Sequence, residues 1–481
     1  MSGFLPKYPI EPGPFEPTWE SLRTYRVPEW YRDAKLGIWA HWGPQSVPMF
    51  GDWYARHMYI EGERQYRHHW RVYGHPSKHG WKDVVKLWKA EKFDPEGLMK
   101  LYAAAGAKYF TAQAVHHDNF DNWDSAHNPW NATKVGPMRD IVGAWAAAAR
   151  KEGLRFGVTE HLGASFSWWR VNKGADKTGP YAGVPYDGND PAFRDLYHDN
   201  QGEKDAWLTD NPAWHEHWFK RIKDLVDKYQ PDLLYSDSDL PWDRVGLSMV
   251  AHLYNLSAKR HGGRPEAVYT QKGRDPGMFS IGVLDIERGQ ENEAKPYVWQ
   301  TDTSVGDWFH DVGYAYKTPS HVIEMFVDMV SKNGCLLLNF SQHPDGTLDE
   351  EQLHLLKVMA GWIGVNGEGI YGTRPWTVAG EGASSIEAGS FKEKQVAWTT
   401  ADFRFTAKGK TVYAFQMRYP GNREAFIRSL ASAKAARVAG VSVLGHAGKV
   451  VWRQLEDGLL VNLPEKQVCD LVPCIKVELA G

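Results

Sequence analysis

Cysteine is scarce in this chain. Three residues, Cys335, Cys469 and Cys474, among 481 cannot build a disulfide framework. Cys335 opens an apolar run and reads as a buried thiol, while Cys469 and Cys474 could pair or stay free, so cysteine usage leaves the redox compartment open. Long apolar runs are also missing. Stretches such as CLLLNF at 335–340 fall far short of the roughly 20 residues that span a bilayer, and no membrane partner is expected. Basic blocks are absent too: 56 Lys and Arg stand against 59 Asp and Glu, interspersed, for a net charge of −3. That pattern lacks the footprint needed to hold a phosphate backbone, which excludes nucleic acid. The opening MSGFLPKYPIEPG has neither a basic segment nor an apolar core and is read as no signal peptide. Removal of an earlier leader would imply a periplasmic or extracellular protein, its absence a cytoplasmic one. There is no low-complexity segment and no internal repeat. Sequons at Asn131, Asn255 and Asn339 are too short a pattern to carry an argument. Nothing in the sequence fixes an oligomeric state.

Aromatic residues are plentiful by contrast. Twenty-three Trp, 22 Tyr and 19 Phe make up 13% of the chain, with 20 His beside them. A large core absorbs most rings, but Trp also stacks on the apolar face of a sugar while polar neighbours hold its hydroxyls. The excess favours a carbohydrate ligand.

From about residue 35 to 365, short apolar runs alternate with helical patterns, as repeated βα units around a parallel sheet do. Eight runs are candidate strands: GIWAHW (37–42), KYFTAQAV (108–115), RFGVTEHL (155–162), DLLYSD (232–237), EAVYTQ (266–271), GVLDIE (282–287), YVWQTD (297–302) and CLLLNF (335–340). Eight is the number a (β/α)8 TIM barrel requires. One helix is expected over 212–229, capped by Asp210 or Asn211 and begun by Pro212. Another is expected over 319–333, stopped at the Asn333-Gly334 pair. No convincing helix appears between 283 and 302, so the barrel should be irregular there. After GTRPW (372–376) the texture changes to short alternating segments: VAWTT, DFRFTAK, TVYAFQM, AFIRSL, GVSVLG, VVWRQL, GLLVNL and IKVEL. These predict a C-terminal antiparallel β-sandwich. The expected division is a barrel over 1–365, with an N-terminal extension, and a sandwich over 366–481.

In a TIM barrel the C-terminal strand ends converge on one mouth. Here they carry His41 and Trp42, His116, His117 and Asp118, Glu160 and His161, Asp237 and Asp239, Glu287 and Arg288, and Asp302. A single histidine at a strand end is ordinarily structural; four at one rim with several acids point to function. On a strand, His116 and His117 would face opposite ways, so only one enters the mouth unless the strand has already ended. A metal hydrolase would use such residues as ligands, but there is no HExxH, and the HEH at 215–217 lies on a helix whose i and i+2 positions diverge. A retaining glycosidase needs two carboxyl groups roughly 5–5.5 Å apart, surrounded by groups that bind hydroxyls. The aromatic excess and scattered acids suit the second chemistry better.

Five ordered blocks resemble the retaining α-L-fucosidases, glycoside hydrolase family 29. They are AKLGIWAHWGPQSVPMFGDWYARHMY (34–59), AGAKYFTAQAVHHDNFDNWDS, PDLLYSDSD, VDMVSKNGCLLLN with VNGEGIYGTRPW, and DFRFTAKGKTVYAF. The resemblance implies a nucleophile at Asp237 rather than Asp239, with Tyr235 and Ser238 where the family usually has Trp and Gly. It implies fucose-binding roles for His41, Trp53, His116 and His117. His161 falls where the family places a further sugar-facing side chain, often a tyrosine, and Asp52 stands where the family has the longer Glu. Trp42 and Arg288, at the same strand ends, join the candidate substrate-binding set. Many members carry the acid/base Glu directly after a strand Trp. Here that pair reads Trp299-Gln300, and an amide can neither donate the proton nor activate water. Glu287 is the first choice for the role, with Asp302 and Asp307 in reserve.

The implied activity is exo-hydrolysis of terminal α-L-fucose from fucosylated glycans by double displacement, with no metal or cofactor required. A related retaining α-L-galactosidase and a non-catalytic fucose-binding barrel are the alternatives. The loops 163–210, with the Gly-rich run 172–190, and 272–296 would shape the outer subsites.

Overall fold

The computed structural model describes residues 8–204, 206–273 and 280–480. Residues 1–7, which open the stretch read as no leader, and residues 274–279 of the second outer loop lie outside them. All eight strand-like runs form strands: β1 (Leu36–Ala40), β2 (Tyr109–Val115), β3 (Arg155–Glu160), β4 (Leu233–Ser236), β5 (Val268–Gln271), β6 (Val283–Asp285), β7 (Trp299–Ser304) and β8 (Gly334–Asn339). They pair in parallel, in chain order, and close as β8 joins β1. Buried on both faces, these strands need apolar residues at nearly every position, which is why they read as continuous runs.

The barrel interior holds Trp39, Tyr109, Leu233, Tyr235, Val268, Val283 and Leu337, with Tyr31 and Ala34 of the preceding helix among them. Gly37 makes room for this filling: a Cβ there would stand 2.2 Å from the Tyr109 ring. The second set of strand faces packs outward beneath the helices. The helix Pro212–Tyr229 is capped by Asn211, whose side chain accepts the Ala213 amide, and it buries Trp214, Trp218, Ile222, Leu225 and Val226. The helix Pro319–Ser331 is followed by Asn333 in the left-handed region, with φ of 73°. No helix separates β6 from β7, the irregularity expected from the sequence.

The C-terminal part is a five-stranded sheet facing a three-stranded one. In chain order its strands are β9 (Arg374–Glu381), β10 (Phe403–Lys408), β11 (Thr411–Gln416), β12 (Glu424–Ile427), β13 (Val438–Val443), β14 (Trp452–Gln454), β15 (Leu459–Asn462) and β16 (Cys474–Leu479). The sheet orders are β13-β16-β11-β10-β9 and β12-β15-β14, all antiparallel. Phe403, Phe405, Val412, Ile427, Val461 and Val477 form the core between them. One expected strand is corrected. VAWTT (396–400) is irregular, and its place is taken by β9, which follows directly on GTRPW. The edge position explains the difference: β9 is only partly buried and carries Pro375, which an edge strand tolerates. Trp398, within VAWTT, instead packs beneath the Arg404 guanidinium.

All three cysteines are unpaired. Asn131, Asn255 and Asn339 are all buried and hydrogen-bonded, so the sequons mark structural asparagines. Among the described residues no helix is long and apolar enough to cross a membrane.

Candidate active site

Asp237 is the first residue after β4, and its amide donates to the Glu160 carbonyl at the end of β3. Its carboxylate is surrounded by polar side chains. Lys272 Nζ, just past β5, lies 2.9 Å from Oδ1. His161 Nδ1 and His117 Nε2 lie 3.0 and 3.3 Å from Oδ2. The Tyr235 hydroxyl stands 2.9 Å from Oδ1 and 3.1 Å from Asp302 Oδ2, its one proton between two acids. Burial alone would favour the neutral acid, but Lys272, His161 and His117 outweigh it and hold the Asp237 carboxyl well below the usual range. An ionised, oriented carboxylate is what a nucleophile requires.

Lys272 reaches a second acid, Glu287, in a close ion pair, and approaches Asp302 at 3.7 Å. Burial disfavours its charge, but Asp237, Asp302 and Glu287 together raise it well above the ordinary lysine value. A single ammonium in hydrogen-bond contact with two carboxylates brings their nearest oxygens within about 6 Å of each other. Glu287 differs electrostatically from Asp237. Burial raises its carboxyl, Lys272 pulls it back, and the neighbouring charges of Asp302 and Asp237 leave it raised. Two acids so close with affinities pushed apart can divide the roles of proton donor and anion. The sequence reading missed Lys272. It directly follows the EAVYTQ run, and the position after that strand was the available signal.

β2 ends at Val115, so His116 and His117 both sit beyond the strand and both enter the mouth. His117 Nδ1 donates to the His161 carbonyl at 2.6 Å, leaving Nε2 toward Asp237. The Ala55 amide donates to Gln45 Oε1, so the Gln45 amide donates to His116 Nδ1 at 2.7 Å. That fixes the proton of a neutral His116 on Nε2, and burial keeps the ring neutral. His116 therefore presents an N–H toward Asp52, 3.8 Å away. His41 is likewise buried and kept neutral. Its ring contacts Phe309, Trp39 and His116 at centroid distances of 4.6, 4.8 and 5.1 Å, and its amide donates to Asn339.

Trp53 stands in the left-handed region, with φ of 56°, a conformation bulky residues avoid unless their surroundings enforce it. Its ring faces Trp207 at 6.0 Å and meets Trp168 and His117 edge-on. The loop 163–210 thus supplies two aromatic walls, Trp168 and Trp207. Asp52 is raised by burial and by the nearby Asp307, whose carboxylate accepts the Asp52 amide. Arg288 covers the Trp308 ring at 4.7 Å and approaches Asp307 at 3.9 Å.

Three expectations change. Trp42 does not reach the mouth: its indole donates to the His343 carbonyl and packs against Trp88 and Phe93, because β1 has ended and the chain has turned outward. Gln300 is not at the mouth either. It accepts the Tyr31 and Tyr109 hydroxyls and donates to Asp285 inside the barrel, whereas Asp302, two residues further along the same face of β7, reaches Lys272. Glu160 points away from the mouth and accepts the Trp218 indole and the Leu162 amide, each at 3.0 Å.

Burial pushes Glu160 up to about 7 from its ordinary 4.5. The folded state therefore holds this proton more tightly than the unfolded chain. Its contribution is complete below about 4.5, and stability is lost as pH rises through about 7. Glu160→Gln should melt higher than the wild type at pH values above that window, with the gap closing on acidification, in thermal scans across the range.

The loop after β2 is held by a fully buried ion pair between Asp121 and Arg221 of the helix Pro212–Tyr229. Stranding either charge alone would cost roughly 3–5 kcal/mol. Among the described residues, three groups bring possible metal-ligand atoms within 4.8 Å of one another: His41–His116–His161, His117–His161–Asp237 and His310–His343–Asp349. At Asp237, Lys272 already supplies a positive charge.

A family model described as alpha-L-fucosidase matches residues 6–368, and one for the alpha-L-fucosidase C-terminal domain matches residues 395–478. The tissue alpha-L-fucosidase of Rattus norvegicus is 29% identical over 470 residues, covering 95% of this chain and 90% of that protein. The human tissue enzyme is 29% identical, covering 94% and 89%. The Thermotoga maritima alpha-fucosidase crystallised with fucose shares the fold, with a TM-score of 0.74 at 24% identity, over 97% of this chain and 100% of that one.

Proposed function

This chain belongs to the alpha-L-fucosidase family and is a fucose-releasing glycoside hydrolase; on that premise we propose that it removes terminal α-L-fucose from glycans by double displacement, with Asp237 as nucleophile and Glu287 as acid/base. The observation that carries the proposal is the Lys272 ammonium spanning both carboxylates. That shared ammonium keeps their nearest oxygens within about 6 Å, in line with the close approach of the two carboxyl groups in a retaining pair.

In the first step Asp237 attacks the anomeric carbon, while Glu287, whose carboxyl is raised by burial and by the Asp302 and Asp237 charges against the pull of Lys272, gives its proton to the departing oxygen. Glu287, now a carboxylate, then takes a proton from the water that releases fucose. His116 Nε2–H and Asp52 offer a donor and an acceptor to ring hydroxyls. Trp53 and the Trp168–Trp207 walls supply the apolar surface that suits the C5 methyl of fucose.

The anomer first released decides between retention and inversion. Proton NMR of an aryl α-L-fucoside digest, followed before mutarotation, should show α-L-fucose first; β-L-fucose first would refute double displacement.

A further inference from the structure

We propose that a groove between the segment 314–321 after β7 and the segment 391–395, with Arg288 of the loop after β6 in its lining, binds the sugar on the leaving side of the scissile bond, with Phe391 as its stacking platform. The proposal rests on Glu287 being the acid. The group carried by the oxygen it protonates must depart past the surface next to Glu287, and that surface is built by a segment remote in sequence. The Phe391 amide donates to the Glu287 carbonyl at 2.8 Å, the Glu393 amide to the Arg288 carbonyl at 2.8 Å, and the Gly389 amide to the Gln290 carbonyl at 3.0 Å. The approach is so close that a Cβ on Gly289 would lie 1.8 Å from the Gly389 carbonyl oxygen.

At this junction Phe391 is 68% exposed with φ of 59°. Core packing explains neither the exposure nor the left-handed backbone of a bulky residue, and strain of this kind gathers at functional sites. The groove beside it holds about 430 Å3 and is lined by Arg288, Tyr314, Tyr316, Lys317, His321 and Phe391. Tyr314 is itself 45% exposed, and His321 Nε2 is buried without a hydrogen-bond partner. Aromatic faces next to cationic and imidazole groups are what a pyranose needs: a platform for its C–H face and partners for its hydroxyls. Only one ring separates the groove from the histidine pocket. Arg288 lies on Trp308, and Trp308 is 5.5 Å from the His41 ring.

The test compares two substrates that differ only beyond the scissile bond. α-L-Fucosyl fluoride has a one-atom leaving group and cannot use the groove. The fucosylated lactosides with α1,2 and α1,3 linkages can, and the one the wild type cleaves faster is taken forward. Phe391→Gly removes the ring while suiting the positive φ, so the backbone bonds to the Glu287 loop survive. The ratio of kcat/KM on the trisaccharide to that on the fluoride should fall about tenfold, mainly through KM, and Phe391→Trp should restore it. A ratio unchanged in Phe391→Gly, or an equal loss on both substrates, would overturn the subsite alone. A wild type inert toward both would overturn the hydrolase reading and the subsite with it.

Discussion

Asp237→Gly should lower the turnover of aryl α-L-fucosides by roughly 10^4-fold or more, the scale expected when a covalent nucleophile is removed. The magnitude follows from what the carboxylate does in this site. It is the focus of Lys272, His117, His161 and Tyr235, and those groups stabilise a charge that glycine no longer carries. With the carboxylate gone, the Lys272 ammonium borders the vacated space, where a small anion can be held. Added azide should therefore restore consumption of the substrate, and by attacking from the side Asp237 occupied it should give β-L-fucosyl azide. A Gly variant that retained wild-type rates would remove Asp237 from the mechanism.

Glu287→Ala should lose activity according to the leaving group. Proton donation contributes about 10^2- to 10^4-fold, so fucosides of poor leaving groups should lose the most, while an activated aryl fucoside should stall after the first step with the fucosyl-enzyme accumulated. Azide then intercepts that intermediate, and the product should be α-L-fucosyl azide, opposite to that from Asp237→Gly. The pH profile gives a second check. Burial, together with the Asp302 and Asp237 charges, raises Glu287 despite Lys272, so its acid form persists above the usual carboxylate range. The alkaline limb of kcat/KM should lie correspondingly high in the wild type and disappear in Glu287→Ala. If the limb survives, another group, Asp302 or Asp307, is the donor.

Much of this architecture was legible because its causes are local. The eight barrel strands are buried on both faces and must be apolar throughout, and the helix Pro212–Tyr229 announces itself by Pro212, its cap and its spacing. The strand pattern brings Asp237 and Asp239 to the mouth, and the family resemblance of PDLLYSDSD selects Asp237 between them. What escaped depended on register or on convergence in space. Trp42 was assigned to the mouth because a run of apolar letters does not show that β1 stops at Ala40. Gln300 drew attention as a missing acid, yet the period-two alternation of β7 puts it one layer deeper than Asp302. Lys272 has no spacing signature at all: its meaning arises only when β4, β5 and the loop after β6 bring Asp237, Lys272 and Glu287 together. Phe391 lies a hundred residues of sequence from the loop it braces, joined to it by backbone bonds that no side-chain pattern records.

The central claim is a covalent bond between fucose and Asp237. It is tested most directly by treating the protein with 2-deoxy-2-fluoro-α-L-fucosyl fluoride, digesting it and locating the added 2-fluorofucosyl mass by tandem mass spectrometry. Stoichiometric label on Asp237, in the peptide containing PDLLYSDSDLPW, is the predicted result; label on Asp239, on Glu287, or on no residue despite turnover would contradict the account.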